Sequence, residues 1–296
     1  MTFVLGVTSP KSIWMLTDRQ LTYADGRRDI GIKQFSLGAA DGNAIIAYAG
    51  LGKTRGGVEV SDWMARVLRG TRGTVEESLA LIFRAAGSRL PAHLDASVSE
   101  HGFIVVAFVD GHPRLYSIQL STDSTSAGAP QYRRYVSAAQ RKWGQNSPYV
   151  VAAGSGATKF DRTQVRALRT LVRPFQEGNE TEQSVARGMA RINRDIHRPD
   201  GGRSVGSRCL VCWRQASGGG AHQFFDGVEP DSAPGRLTIP GVMQGFNTGS
   251  IAAVVVRLAQ HQLASVDGTT DAMLPDVDAL RRAVALLPSD PDDRLD

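Results

Sequence analysis

The chain has 296 residues, 42% hydrophobic and 21% charged, the balance of an ordinary globular protein long enough for one large domain or two small ones. Its formal net charge of +5 comes from Arg scattered among Asp and Glu; the densest pairs, Arg27-Arg28 and Arg133-Arg134, are expected in loops, so no basic stripe argues for a nucleic-acid partner. No apolar run reaches the roughly 18–20 residues that span a bilayer, and the opening MTFVLGVTSPKSIW lacks the basic start and long apolar core of a secretory signal, so a cytoplasmic protein without membrane contact is expected.

Residues 2–8 and 12–17 read as two short strands joined by a Ser-Pro-Lys turn. After a polar stretch, 33–37 (KQFSL) and 43–49 (NAIIAYA) read as a hairpin across Ala-Asp-Gly, with glycines following at 50, 52, 56 and 57. Val58, Val60, Trp63, Met64, Val67 and Leu68 fall at helical spacing, and a second helix from Thr74 to about Ala92 opens on a T-x-E-E capping signature. A hairpin follows at 102–109 and 113–119, then a polar stretch over 120–148 expected as a long loop.

The second half repeats the pattern. Residues 148–153 (PYVVAA) predict a strand ending at Gly154-Ser155-Gly156. Helices are predicted at about 159–175 and 181–197, and strands at 208–213 and 222–226 after a break at Gly201-Gly202. Strands and helix pairs in this order predict an α/β (α+β) fold, a four-layer α/β/β/α sandwich with two antiparallel sheets between helical layers. Residues 227–250 are expected as turns, with helices at 251–264 and 277–287 and an acidic tail. The expected division is therefore one domain over 1–226 and a partly helical extension over 227–296.

Two cysteines exclude a disulfide framework. Cys209 and Cys212 stand three apart in the strand-like run RCLVCW, so their thiols point to opposite faces, and no second pair completes a zinc site. Buried packing cysteines are expected. The six histidines show no metal-ligand spacing, and no cofactor or metal is expected.

One set of residues carries chemistry. Thr2 opens the first strand, and Thr17-Asp18-Arg19 closes the second. KQFSL begins at Lys33, NAIIAYAGLG leads to Gly50, and PYVVAAGSGA contains Ser155. In this order and spacing the set resembles the bacterial proteasome β-subunits, which are N-terminal nucleophile (Ntn) hydrolases, over about residues 2–226. The resemblance implies that Thr2 is the nucleophile once Met1 is removed, that Lys33 and Asp18 tune its amine, and that the Gly50 N–H forms the oxyanion hole. Ser155 then orients the amine. Asp200 and Ser204 match the family's last polar pair, with Asp195 and Ser207 as competitors. Thr22 aligns substrate as an added strand, Gln20 stands where the family often has Arg, and Tyr48 lies near the first specificity pocket. Peptide or unfolded protein is the implied substrate, with a small amide as the alternative, and a homo-oligomeric ring is the implied assembly.

The chemistry has its own logic. A threonine hydroxyl needs an adjacent base. A free α-amine, with a reference pKa of about 7.7–8.0, is partly neutral near pH 7 and stands beside that hydroxyl. A lysine ammonium nearby lowers the amine's pKa by like-charge repulsion, and a carboxylate keeps that lysine charged.

One motif competes. AYAGLGKT, residues 47–54, fits a loose phosphate-binding loop, and the apolar strand ending at Asp110 supplies a partner acid. That would make the chain a nucleotide-binding protein. A non-catalytic structural subunit with the same fold is the third reading.

Overall fold

The structure, a computed structural model, describes residues 2–22, 28–50, 52–54, 56–90, 100–121, 131–136, 148–197, 205–236 and 238–248. The fold is mixed α+β. Among the described residues one sheet has six strands in the order β10-β1-β2-β11-β12-β13. These are Tyr149–Ala153 (β10), Val4–Thr8 (β1), Ser12–Asp18 (β2), Arg208–Gln215 (β11), Gly220–Asp226 (β12) and Glu229–Pro230 (β13). The second sheet has seven strands in the order β15-β14-β5-β6-β7-β8-β9. These are Phe246–Asn247 (β15), Gly241–Met243 (β14), Gln34–Ala39 (β5), Gly42–Ala49 (β6), Glu100–Val109 (β7), His112–Ser121 (β8) and Gln131–Val136 (β9). A separate ribbon pairs Gln20–Thr22 (β3) with Arg28–Ile30 (β4).

Strand pleat explains the packing, because successive side chains leave a strand on opposite faces. Along β1, β2 and β11, Leu5, Val7, Trp14, Leu16, Cys209 and Val211 pack with helices α3 (Arg162–Glu177) and α4 (Glu182–Ile196). Along β6 and β7, Ala44, Ile46, Phe103 and Val105 pack with α1 (Val60–Val67) and α2 (Val75–Arg89). The alternate residues of the same strands meet in a third cluster, where Val4, Ile13, Met15, Leu210 and Cys212 touch Ile45, Ala47, Ile104 and Val106. Central strands with both faces covered have no polar face, which is why they read as nearly continuous apolar runs. The two cysteines fall in different clusters on opposite faces of β11, both free, and burial pushes both thiols up.

The helix starts follow capping chemistry. Thr74 accepts from the Glu77 N–H while the Glu77 carboxylate accepts from the Thr74 N–H, and Asp161 makes the same reciprocal pair with Gln164. Three expectations are corrected. Residues 131–136, expected inside a long loop, form β9 on the edge of the seven-stranded sheet. QYRRYV lies within a polar stretch and does not alternate apolar with polar residues, so it carried no period-two signal. Arg133 and Arg134 therefore lie on a strand, as does Arg28 at the start of β4. Residues 227–250, expected as turns, supply β13, β14 and β15, and β14 runs parallel to β5 with Gly241 opposite Ser36. Strands of two or three residues are too short to carry a periodic signal. The helices expected at 251–264 and 277–287 lie outside the described residues. No helix among the described residues is long and apolar enough to cross a membrane.

Candidate active site

The first hairpin delivers two groups to one place. The β1–β2 register pairs Val4 with Thr17, so Phe3 faces Asp18 and Thr2 stands just beyond. The Asp18 N–H donates to the Phe3 carbonyl at 3.1 Å, and the Phe3 N–H returns a bond to Asp18 Oδ1 at 2.7 Å. Asp18 Oδ2 accepts the Gln20 N–H at 3.2 Å. Lys33, one residue before β5, reaches across from the other sheet. Its Nζ donates to Asp18 Oδ1 at 3.0 Å, to Asp18 Oδ2 at 2.8 Å and to Thr2 Oγ1 at 3.2 Å. An ammonium has three donors, and these three contacts use them all.

The three side chains are nearly sealed from water: Thr2 is 6% exposed, Asp18 0% and Lys33 6%. Burial pulls the Lys33 ammonium below its ordinary value, and the charge and hydrogen bonds of Asp18 oppose that pull without cancelling it. The lysine is therefore held by the carboxylate yet gives up a proton more easily than an exposed one. Such a group beside a hydroxyl oxygen favours that oxygen as an alkoxide and repels a proton from any amine nearby.

The segment after β10 holds the main chain of Thr2. The Thr2 nitrogen donates to Ser155 Oγ at 3.2 Å, and the Thr2 carbonyl accepts from the Gly156 N–H at 3.2 Å. Gly154 has φ 79°, and a Cβ there would run into the Thr2 carbonyl, so only glycine fits. Gly50, with φ 137°, turns the chain just after β6. Two residues earlier the Tyr48 N–H donates to the Lys33 carbonyl at 3.0 Å, which ties that turn to the lysine.

The other expected residues are placed variously. Gln20 lines an open cavity of about 300 Å³ together with Arg19, Arg28, Gly206 and Arg208. Thr22 sits on the β3–β4 ribbon opposite Arg28. Tyr48 is 2% exposed, and its ring lies 4.8 Å from that of Phe103 in the cluster under α1 and α2. Asp200 and Ser204 lie outside the described residues. Of their competitors, Asp195 is exposed on α4 and bonded to Arg194, and the Ser207 carbonyl accepts from Asn193 Nδ2 at 3.1 Å.

Several supporting residues were not singled out from the sequence. Gln34 is fully buried, and its Nε2 donates to the Met15 and Leu210 carbonyls and to Thr17 Oγ1, joining β5 to the other sheet beside Lys33. Glu59 Oε2 accepts the Ile32 N–H at 3.1 Å, and Ser61 Oγ donates to the Ile32 carbonyl at 2.7 Å. Asn193, buried on the apolar face of α4, holds the Gly206 carbonyl at 3.0 Å. The available signal was a polar residue inside an apolar pattern, as at Gln34 and Asn193. Among the described residues no three His, Cys, Asp or Glu side chains converge as a metal site requires.

The described residues among 47–54 do not have the form of a phosphate-binding loop. Such a loop leaves a parallel strand and enters its helix at the Lys-Thr step. Here β6 is antiparallel to both neighbours, and α1 begins at Val60, six residues after Thr54. Lys53 is paired with Asp29 at 2.8 Å. Asp110 follows Val109, which pairs with Gly42 at the far end of β6. At about 3.4 Å per strand residue, that places it some 20 Å or more from the loop.

No family model matches the chain, and no curated protein matches it. Among solved structures, Anbu from Hyphomicrobium sp. strain MC1 superposes with a TM-score of 0.48 at 8% identity, over 91% of this chain and 100% of that one. Anbu (ancestral beta-subunit) from Yersinia bercovieri gives 0.47 at 8% identity, over 93% and 100%. The helical assembly of the Anbu complex from Pseudomonas aeruginosa gives 0.43 at 13% identity, over 92% and 100%. The likeness is distant.

Proposed function

We propose that the chain is an amide-bond hydrolase of the N-terminal nucleophile type, a threonine peptidase in which Thr2 attacks once removal of Met1 frees its amine. The observation that carries this reading is the buried contact of Lys33 Nζ with Thr2 Oγ1 at 3.2 Å, with Asp18 on the same ammonium. On this reading the two sheets and their two helix pairs are the α/β/β/α sandwich of that class.

Thr2 Oγ attacks the scissile carbonyl while the Thr2 amine takes the hydroxyl proton, and the Gly50 N–H receives the oxyanion. The amine then protonates the leaving nitrogen, an ester joins Thr2 to the acyl part of the substrate, and water activated by the amine releases it. Lys33 lowers the amine's affinity for a proton, and its own lowered pKa matches it to an oxygen that must carry charge. Ser155 fixes the direction of the Thr2 nitrogen, and the β3–β4 ribbon offers Thr22 as a strand along which an extended peptide aligns. Assembly into a homo-oligomer belongs to the same proposal.

The test is the intact mass of the purified chain before and after a peptide epoxyketone, whose ring closure needs an α-amine and an adjacent hydroxyl. Loss of Met1 and one adduct on Thr2, both hydrolysis and adduct being absent from a folded Thr2→Ala variant, are the expected results. A chain that has lost Met1 and takes no adduct would overturn the mechanism and leave the structural-subunit reading.

A further inference from the structure

The short segment after β13 grips both sides of the buried ion pair. On one side it holds Arg19, the residue after Asp18. Arg19 is 2% exposed, its Nη1 lies 3.5 Å from Asp231 Oδ2, and its Nη2 donates to the Pro234 carbonyl at 2.6 Å. The guanidinium stacks 4.7 Å from the Phe224 ring centroid. The Arg19 carbonyl in turn accepts the Gly31 N–H at 2.9 Å.

On the other side the same segment holds the start of α1. Arg236 binds both Asp62 oxygens at 2.8 Å, a bidentate pair, and its Nη1 lies 3.4 Å from Glu59 Oε2. That Glu59 oxygen is the one accepting the Ile32 N–H, and Ser61 takes the Ile32 carbonyl. Ile32 immediately precedes Lys33. Residues 231–236 thus hold the chain one residue beyond Asp18 and, through Glu59, one residue before Lys33.

We propose that residues 231–236 are a clamp that keeps Lys33 in register with Asp18 and Thr2, and that Arg236 and Glu59 are positioning residues for Lys33. The proposal rests on the hydrolase reading and extends it past residue 226: chain expected as an appendage works for the site. Its physical basis is that three sealed polar groups must meet within hydrogen-bond distance, where small displacements are expensive. Without Arg236, Glu59 at the N-cap of α1 and Asp62 in its first turn lose the cation they share. Glu59 is also faced by Lys53 and Arg19, and burial already pushes its carboxyl up. Loss of Arg236 pushes it further, and a neutral Glu59 holds the Ile32 N–H more weakly than a charged one.

The test measures the rate of Thr2 adduct formation with a peptide epoxyketone across pH, for wild type, Arg236→Ala, Arg236→Lys, Glu59→Gln and the Arg236→Ala/Glu59→Gln double variant. In parallel, an amine-reactive reagent is scored by peptide mass at Lys33, with exposed Lys159 as the internal reference. Arg236→Ala is expected to slow the adduct roughly tenfold to a hundredfold. It should also move the acid limb of the profile to higher pH and speed Lys33 labelling several-fold at constant Lys159 labelling. Arg236→Lys recovers part of the rate, and Arg236→Ala adds nothing in the Glu59→Gln background. Arg173→Ala, which removes an exposed ion pair on α3, changes none of these. Wild-type rates and Lys33 protection in Arg236→Ala would overturn the clamp, as would independent losses in the double variant. If wild type lacking Met1 takes no adduct, the hydrolase reading fails, and Lys33 labelling still decides the clamp.

Discussion

Two lysine–aspartate pairs in this molecule have the same length and opposite characters. Lys33–Asp18 and Lys53–Asp29 both close at 2.8 Å, but the first pair is 6% and 0% exposed and the second 23% and 48%. The buried pair bridges the two sheets, takes two backbone N–H bonds on its carboxylate, and places its third ammonium donor on Thr2. The exposed pair joins β4 to the loop after β6. Geometry at the nitrogen and oxygen is therefore uninformative alone; what distinguishes a site from a surface contact is the surroundings, which decide what the charges cost and what they can perturb.

The largest break in this comparison comes from Asp18→Ala. It leaves a buried ammonium without its counter-charge and strands the Phe3 and Gln20 N–H groups, an expected loss of about 3–5 kcal/mol by denaturant unfolding. Adduct formation at Thr2 should vanish even where the variant still folds. Asp29→Ala should cost less than about 1 kcal/mol. Equal losses from the two substitutions would mean that burial does not set the difference.

The buried pair was named in the sequence through the family resemblance, and the structure brings its members together at strand ends. Thr2, Asp18 and Lys33 lie at the boundaries of strong apolar runs, and strand register brings such boundaries together. Gly154 was read only as the end of a strand, and its close approach to the Thr2 carbonyl depends on tertiary placement. The clamp was not legible. Arg236 lies in a stretch of Pro, Gly, Ser and Asp with no periodicity, and its partners Glu59 and Asp62 are 177 and 174 residues away. Glu59 is one polar position between the helical-spacing residues Val58 and Val60, and its tie to Ile32 depends on how α1 docks against β5. β9 was missed because QYRRYV lies in a polar stretch without period-two alternation. Most of the fold came from period-two and helical runs, whereas supporting polar contacts across the chain depend on tertiary placement.

A subtler effect separates the pairs by pH. Burial holds Lys33 below its ordinary value of 10.5, so between its folded value and 10.5 the unfolded chain binds more protons than the folded one. Stability contributed at this position is then fully present above 10.5 and lost as pH falls through the folded value. The unfolding free energy of wild type minus that of Lys33→Met should therefore rise as pH climbs toward 10.5. A difference that falls over that range would mean that Asp18 outweighs burial and that the lysine is more firmly charged than an exposed one.

The smallest effect is the one that separates the two functional readings. Lys53→Ala removes an exposed ion pair, so its stability cost should lie between 0 and about 1 kcal/mol and shrink further in salt. If Thr2 is the nucleophile, adduct formation should fall far less than in Arg236→Ala, because Lys53 is paired with Asp29 and is a weaker charge on Glu59 than Arg236. If residues 47–54 bound a nucleotide, the same substitution would abolish that binding, because no other lysine stands in the loop to meet a phosphate. Nucleotide binding by wild type that is lost in Lys53→Ala, with Thr2 unreactive in both, would reverse the assignment of the two pairs. The antiparallel β6 and the late start of α1 argue against that result, because together they leave the loop without a helix N-terminus directed at an anion.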